Sequence, residues 1–197
     1  MNIDLEGRLA LIGGSQGALT SAVRDALREN GAEVVEASNA VQGEPFVLVL
    51  VSKGAEGVPE HDADFGSERA DFVRAIRQLA PRLKRVVLLF SSAGLVPVKG
   101  FAEFSAGQAG LASLTRTLGM ELGPDVCVNA VAVGAYEAPG EEVQTPRFLS
   151  HAALKRPASI SEIVAAVLFL ADPDNAYMTG HTLNVDGGWA AGYARNF

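Results

Sequence analysis

Arg8-Leu9-Ala10-Leu11-Ile12-Gly13-Gly14-Ser15-Gln16-Gly17-Ala18-Leu19 is the stretch on which the fold turns. Four apolar residues follow Arg8 and run into paired glycines, and a helical pattern begins at Ala18. A short apolar strand, a glycine turn and a helix, in that order, open a β-α-β unit. The helix spans 18–30, with Ala22, Val23, Ala26 and Leu27 on one face and Gly31 closing it.

Working outward, the alternation continues. A second strand covers 32–36. A third, at 46–51, is apolar throughout and therefore central in the sheet. A polar loop containing Gly and Pro follows at 52–66. The helix at 67–83 turns Phe72, Ala75, Ile76 and Leu79 inward, and a strand occupies 85–90. The longest helical segment, 101–122, is stopped by Gly123-Pro124, and a strand follows at 126–133. The region 135–156 reads as a loop with a short helix near 146–154. Ser159 and Glu162 form a capping box for a helix that runs to Ala171, and the last strand is 182–185. Strands alternating with helices predict an α/β fold: one domain over 1–197, a doubly wound Rossmann-type parallel sheet of about six strands.

Composition narrows the function classes. The 197 residues are 48% hydrophobic and 20% charged, which suits one globular domain with a sizeable core. A net charge of −7 argues against a nucleic-acid partner. Cys127 is the single cysteine, so no internal disulfide can form, and it reads as an inert thiol in a strand. Residues 1–8 lack the apolar stretch of a signal peptide, and no apolar run reaches the length of a membrane span. These features predict a reducing, cytoplasmic setting without a membrane.

Several segments together resemble the short-chain dehydrogenase/reductase family. Phe104-Ser105-Ala106-Gly107-Gln108-Ala109-Gly110-Leu111 is similar to the family's Tyr-Ser-Ala-Ser-Lys-Ala-Gly-Leu helix. Val128-Asn129-Ala130-Val131-Ala132-Val133-Gly134 resembles its Asn-Ala-Val-Ala-Pro-Gly strand. Ser161-Glu162-Ile163, Met178-Thr179-Gly180 and Val185-Asp186-Gly187-Gly188-Trp189 are similar to its last helix and strand.

The resemblance implies a proton-transferring tyrosine at 104 and a lysine at 108 that lowers the tyrosine's pKa. Here these are Phe104 and Gln108. Phe104 has no proton to give, and Gln108 cannot stabilise a phenolate. The family serine aligns with Ser91, which can orient a substrate carbonyl or bond to nearby backbone at a strand end. The family's cofactor turn, Gly-x-x-x-Gly-x-Gly, keeps Gly13 and Gly17 but has Leu19 for its third glycine. A leucine there is expected to project into the pyrophosphate's space or push the turn aside. The ribose-selecting position after the second strand is Ser38, and the chain reaches Phe46 within a few residues. A family member would place a helix, a strand and a second helix there, so the fold is shortened on the adenine side. The family's Asn-Asn-Ala-Gly is Val51-Ser52-Lys53-Gly54. No nicotinamide cofactor is therefore expected, with Gly13 and Gly17 vestigial. His61, His151 and His181 show no metal spacing. Tyr136 follows the Val133-Gly134 turn and could line a pocket, with no partner evident as a replacement acid. Lys53 and Lys99 could lie near the cleft mouth, and His151, Lys155 and Arg156 could meet an anionic ligand.

The losses serve cofactor and proton transfer, whereas the helices and C-terminal segments implied to form family interfaces persist. The sequence thus points to a catalytically inactive subunit of a hetero-oligomeric ketoreductase or alcohol dehydrogenase, a heterotetramer with an active family member. The subunit pair of a hydroxybenzylsuccinyl-CoA dehydrogenase exemplifies such an arrangement. Interface candidates are Phe101, Leu111 and Leu118 on the 101–122 helix and the aromatic residues Trp189, Tyr193 and Phe197 beyond the last strand. Two alternatives stay open: a ligand-binding regulatory module in the old cleft, and a lyase or isomerase using Ser91 or Tyr136.

Overall fold

Alternation along the strands decides which helices cover which face of the sheet. The computed structural model describes residues 1–37, 42–57, 65–138 and 151–192. Its strands are β1 (Leu9–Gly14), β2 (Glu33–Glu36), β3 (Pro45–Val51), β4 (Arg85–Ser91), β5 (Cys127–Val133), β6 (Tyr136–Glu137), β7 (Ala158–Ser159) and β8 (Thr182–Val185). Its α-helices are α1 (Ala18–Glu29), α2 (Lys53–Glu56), α3 (Gly66–Leu79), α4 (Ala102–Glu121) and α5 (Ile160–Ala171). Val47, Val49 and Val51 of β3 point into one layer with Leu19 and Val23 of α1 and Ile163 and Val167 of α5. Leu48 and Leu50 point into the other, with Phe72 and Ile76 of α3 and Leu111 and Leu118 of α4. A period-2 strand buried on both faces must be apolar at nearly every position, which is what β3 and β4 show.

The main sheet has six parallel strands in the order β2-β1-β3-β4-β5-β8. α1 lies between β1 and β2, α3 between β3 and β4, and α4 between β4 and β5, as crossovers between parallel strands demand. β2 forms one edge, and the order reverses beside β1, between its pairings with β2 and β3. In open α/β sheets ligands bind at that reversal, outside the carboxyl ends of the strands. β8 closes the other edge against β5, from Ala130↔Thr182 to Val133↔Val185. Asn129, almost fully buried, clamps the approach to β8. Its Nδ2 donates to the Met178 carbonyl at 2.7 Å, and its Oδ1 accepts from His181 N–H at 3.0 Å. The capping box of α5 forms as expected from Ser159 and Glu162.

Two elements depart from the sequence reading. The loop at 52–66 holds α2, a single turn capped by Ser52, whose Oγ accepts from Gly54 N–H at 3.2 Å. Tyr136–Glu137 pairs in parallel with Ala158–Ser159 as a two-stranded sheet that neither segment's length announces. Among the described residues no helix is long and apolar enough to cross a membrane. The short helix expected near 146–154 falls mainly outside the described residues, as do Ser38, His61, Tyr193 and Phe197.

Candidate functional site

The carboxyl ends of β1, β3 and β4 deliver Gly13-Gly14, Ser52 and Ser91 to the same end of the sheet. α4 crosses it with Phe104 and Gln108 on its inner face, and both side chains are 0% exposed. Phe104 sits edge-on to Phe65 and Phe101, with ring centroids 5.3 and 6.4 Å apart. Its ring thus lies in an apolar cluster with Ala93.

Gln108 bridges Ser91 of β4 and Ser52, the cap of α2, by hydrogen bonds. Its Oε1 accepts from Ser91 N–H at 2.8 Å, and its Nε2 donates to Ser52 Oγ at 3.2 Å. Ser52 Oγ in turn donates to Glu68 Oε2 at 2.7 Å, and Lys53 N–H donates to Glu68 Oε1 at 2.9 Å. A Cβ at Gly54 would lie 2.5 Å from Gln108 Cδ, so only glycine lets the amide sit there. Ser91 is buried, and its Oγ accepts from Ala93 N–H at 3.3 Å, capping a short 3-10 turn.

The glycine turn holds an unforeseen residue. Glu56, at the end of α2, places its carboxylate on the N-terminus of α1. Leu19 N–H donates to its Oε2 at 3.1 Å and Thr20 N–H to its Oε1 at 2.9 Å. The Thr20 hydroxyl donates to Oε1 at 2.5 Å. Tyr136 Oη donates to the Glu56 carbonyl at 3.0 Å and lies 3.4 Å from Oε2. A Cβ at Gly17 would run into this carboxylate. Tyr136, for which the sequence offered no partner, is therefore tied to Glu56. Glu56 itself carries no sequence signal beyond being an acid just after the central strand.

The expectations for Leu19, Leu111 and Leu118 need correction. The Leu19 side chain does not enter the turn's space. It is fully buried in the α1/α5 layer, and only its backbone N–H faces the turn. Leu111 and Leu118 are fully buried between α4 and the sheet, because α4 uses them to cover the strands. They cannot form an outer, intersubunit face. Phe101 is half-buried against the Phe104 cluster. Trp189 is half-buried and faces the fold's own crevice, lining a space of about 10 Å³ with Ser92, Gly134, Ala152 and Asp186. That is room for about one water. The exposed Arg156 guanidinium grips Glu162 through bonds of 2.7 and 2.8 Å. That grip, followed by the Ser159 N–H, lowers the Glu162 carboxyl to about 2. Among the described residues no group of His, Cys, Asp and Glu could hold a metal ion. Lys53 borders an open cleft of about 380 Å³ beside the turn, with Gln16, Glu36, Glu68 and Asp71 on its walls. Glu36, at the end of β2, is paired there with Arg24 at 2.5 Å.

A family profile described as "Enoyl-(Acyl carrier protein) reductase" matches residues 69–190, more than half of the chain. The chain belongs to the short-chain dehydrogenase/reductase family. The match begins within α3 and so leaves out the glycine turn and α2. Over 108 residues the chain is 37% identical to a trans-4-hydroxycyclohexanecarboxylate dehydrogenase of Sinomonas cyclohexanicum, covering 54% of this chain and 41% of that protein. It is 37% identical over 120 residues to a 3-oxoacyl-[acyl-carrier-protein] reductase of a Synechocystis strain, covering 58% and 49%. The matched stretch thus spans less than half the length of each curated relative. A Brucella melitensis short-chain dehydrogenase/reductase structure superposes with a TM-score of 0.72 at 23% identity, covering 96% of this chain and 99% of that one. A ligand-free aldohexose dehydrogenase of Thermoplasma acidophilum gives 0.77 at 16%, covering 100% and 99%. These structural likenesses speak for the shared fold.

A nicotinamide dinucleotide of the kind the fold accommodates does not fit the turn in this arrangement. The backbone donors that a pyrophosphate would use at the start of α1 already bind Glu56, and a second anion there would meet that carboxylate directly.

Proposed function

We propose that the chain is a non-catalytic member of the short-chain dehydrogenase/reductase family that assembles with an active member into a hetero-oligomer, a heterotetramer in the simplest symmetric case. The observation that carries this reading is the bond from Ser91 N–H to Gln108 Oε1. At the position of the family's lysine stands an acceptor that the fold needs, and Phe104 beside it offers no proton. General acid chemistry at this place would require a donor that the buried side chains do not supply.

The partner surface proposed is the outer side of α4. Ala106, Ala109 and Met120 are exposed there, with Met120 77% accessible. Small side chains let a second helix approach closely, and a methionine adapts to its shape. Affinity purification from the native source tests this directly. A second dehydrogenase chain carrying the Tyr and Lys pair should co-elute, and its ketone reduction should fall when this chain is deleted. A monomer at micromolar concentration, with no second chain recovered and no activity changed, would overturn the proposal. The cleft of about 380 Å³ favours a second reading, a ligand-binding module, which a homo-oligomer retaining a bound metabolite would support.

A further inference from the structure

We propose that Glu56 is a built-in anion, seated on the first turn of α1 where the fold would otherwise receive a phosphate or pyrophosphate group. The N-terminus of an α-helix leaves backbone donors unmatched and carries a partial positive charge, so it attracts anions. In most helices a side chain of the N-cap or of the first turn answers that need. Here the N-cap is Gly17, which has no side chain, and the first turn of α1 holds no acidic residue. The answer comes from 36 and 37 positions away, in the bonds from Thr20 and Leu19 to Glu56. The Thr20 hydroxyl completes the seat, and Tyr136 ties down the backbone carbonyl of Glu56. A carboxylate receiving two backbone N–H groups and a hydroxyl donor at a helix start has the charge sign and acceptor character of a bound phosphate oxygen pair.

The surroundings fit this occupant. Glu56 stands at the reversal of strand order between β1 and β3, the place where the sheet gathers ligands. A Cβ at Gly17 would strike the Glu56 carboxylate where it sits, so glycine leaves room for this occupant. α2, which carries Glu56, is anchored at its other end by Ser52, and Ser52 is held by Gln108 and Glu68. Gln108 therefore acts as a positioning residue for the helix that delivers the anion. The changes at the family's lysine position and at its strand-end turn work as one assembly. The inference rests on the proposed function only in taking the chain not to use a dinucleotide.

The test compares the wild-type chain with Glu56→Ala and Glu56→Gln, using inorganic pyrophosphate as the probe and chloride at matched ionic strength as the control. Wild type should show no saturable response in Tm or in the amide shifts of Leu19 and Thr20. Glu56→Ala should melt about 2–8 °C lower, the loss expected for a helix cap in a domain of this size. Pyrophosphate, but not chloride, should restore at least half of that drop. If Glu56→Ala does not fold, Glu56→Gln keeps an acceptor oxygen and removes the charge. Its Leu19 and Thr20 amides should then saturate with pyrophosphate at a concentration at least tenfold below any effect on wild type. An unchanged Tm in Glu56→Ala, a drop that pyrophosphate does not rescue, or equal responses of Glu56→Gln and wild type would each overturn the proposal. Micromolar binding of NADH to the wild-type chain by calorimetry would instead overturn the non-catalytic reading as well, so the two failures are distinguishable.

Discussion

Restoring the family's pair with Phe104→Tyr and Gln108→Lys should destabilise the chain and return no activity. The Gln108 side chain is 0% exposed and accepts from Ser91 N–H at 2.8 Å. A lysine has no acceptor, so Ser91 N–H would be left buried and unmatched, at a cost of about 1–3 kcal/mol. The ammonium would reach toward Ser52 and the Glu68 carboxylate, which offsets part of its desolvation. The Phe104 ring is fully buried against Phe65 and Phe101, and a hydroxyl added there without a partner costs about 1–3 kcal/mol. The two positions share one turn of α4, so their effects need not add, and a total of about 2–5 kcal/mol is expected. For a domain of this size that lowers Tm by about 5–15 °C. Urea unfolding followed by circular dichroism and by the fluorescence of the single tryptophan, Trp189, measures the loss. Oxidation of NADH or NADPH with a panel of ketones measures activity. A double variant as stable as wild type would show that the Gln108 contacts do not hold the site together. Steady ketone reduction would show that the glycine turn accepts a cofactor despite Glu56.

Three further outcomes are expected. Glu162, held down to about 2 by Arg156 and the Ser159 N–H, favours the folded state above its ordinary value of 4.5. That contribution should fade as pH falls from about 4.5 through about 2, and Arg156→Ala should move the NMR-detected titration of Glu162 back toward 4.5; an unmoved titration would refute the assignment. Leu118→Ala should cost about 2–5 kcal/mol in urea unfolding, whereas a loss under about 1 kcal/mol would contradict its place in the core. Ala106→Glu with Ala109→Arg should change stability by no more than about 0.5 kcal/mol yet abolish co-elution with the partner, and persistence of the complex would move the interface elsewhere.

The sheet was legible because its strands are long enough to show their pattern. β3 and β4 are apolar at nearly every position, and Gly123-Pro124 marks the end of α4. α2, β6 and β7 span two to four residues, too few for any period to appear. α4 misled for a different reason. Its inner face carries Ser105, Gly107, Gln108 and Thr115, while alanines sit outside, so hydrophobicity barely distinguishes the two sides. That is why Leu111 and Leu118 read as an outer face. That Phe104 and Gln108 stand where the resemblance implies a tyrosine and a lysine was visible at once, since it depends only on residue identity. The place of Glu56 was not, because it reaches α1, and Tyr136 reaches Glu56, only through the pairing of strands distant in sequence.

The pairing of β8 with β5 has a consequence for how the chain must be made. β5 is finished by Val133, but the strand that covers its open side begins at Thr182. Synthesis from the N-terminus therefore leaves the backbone donors and acceptors of an apolar strand bare until about fifty further residues have been added, at roughly 5–20 residues per second. The Asn129 clamp closes only when Met178 and His181 arrive. During those seconds the nascent protein presents a template for strand addition by a neighbouring chain. Any proteolytic cut or premature stop that removes β8 should thus yield aggregates instead of a smaller soluble domain.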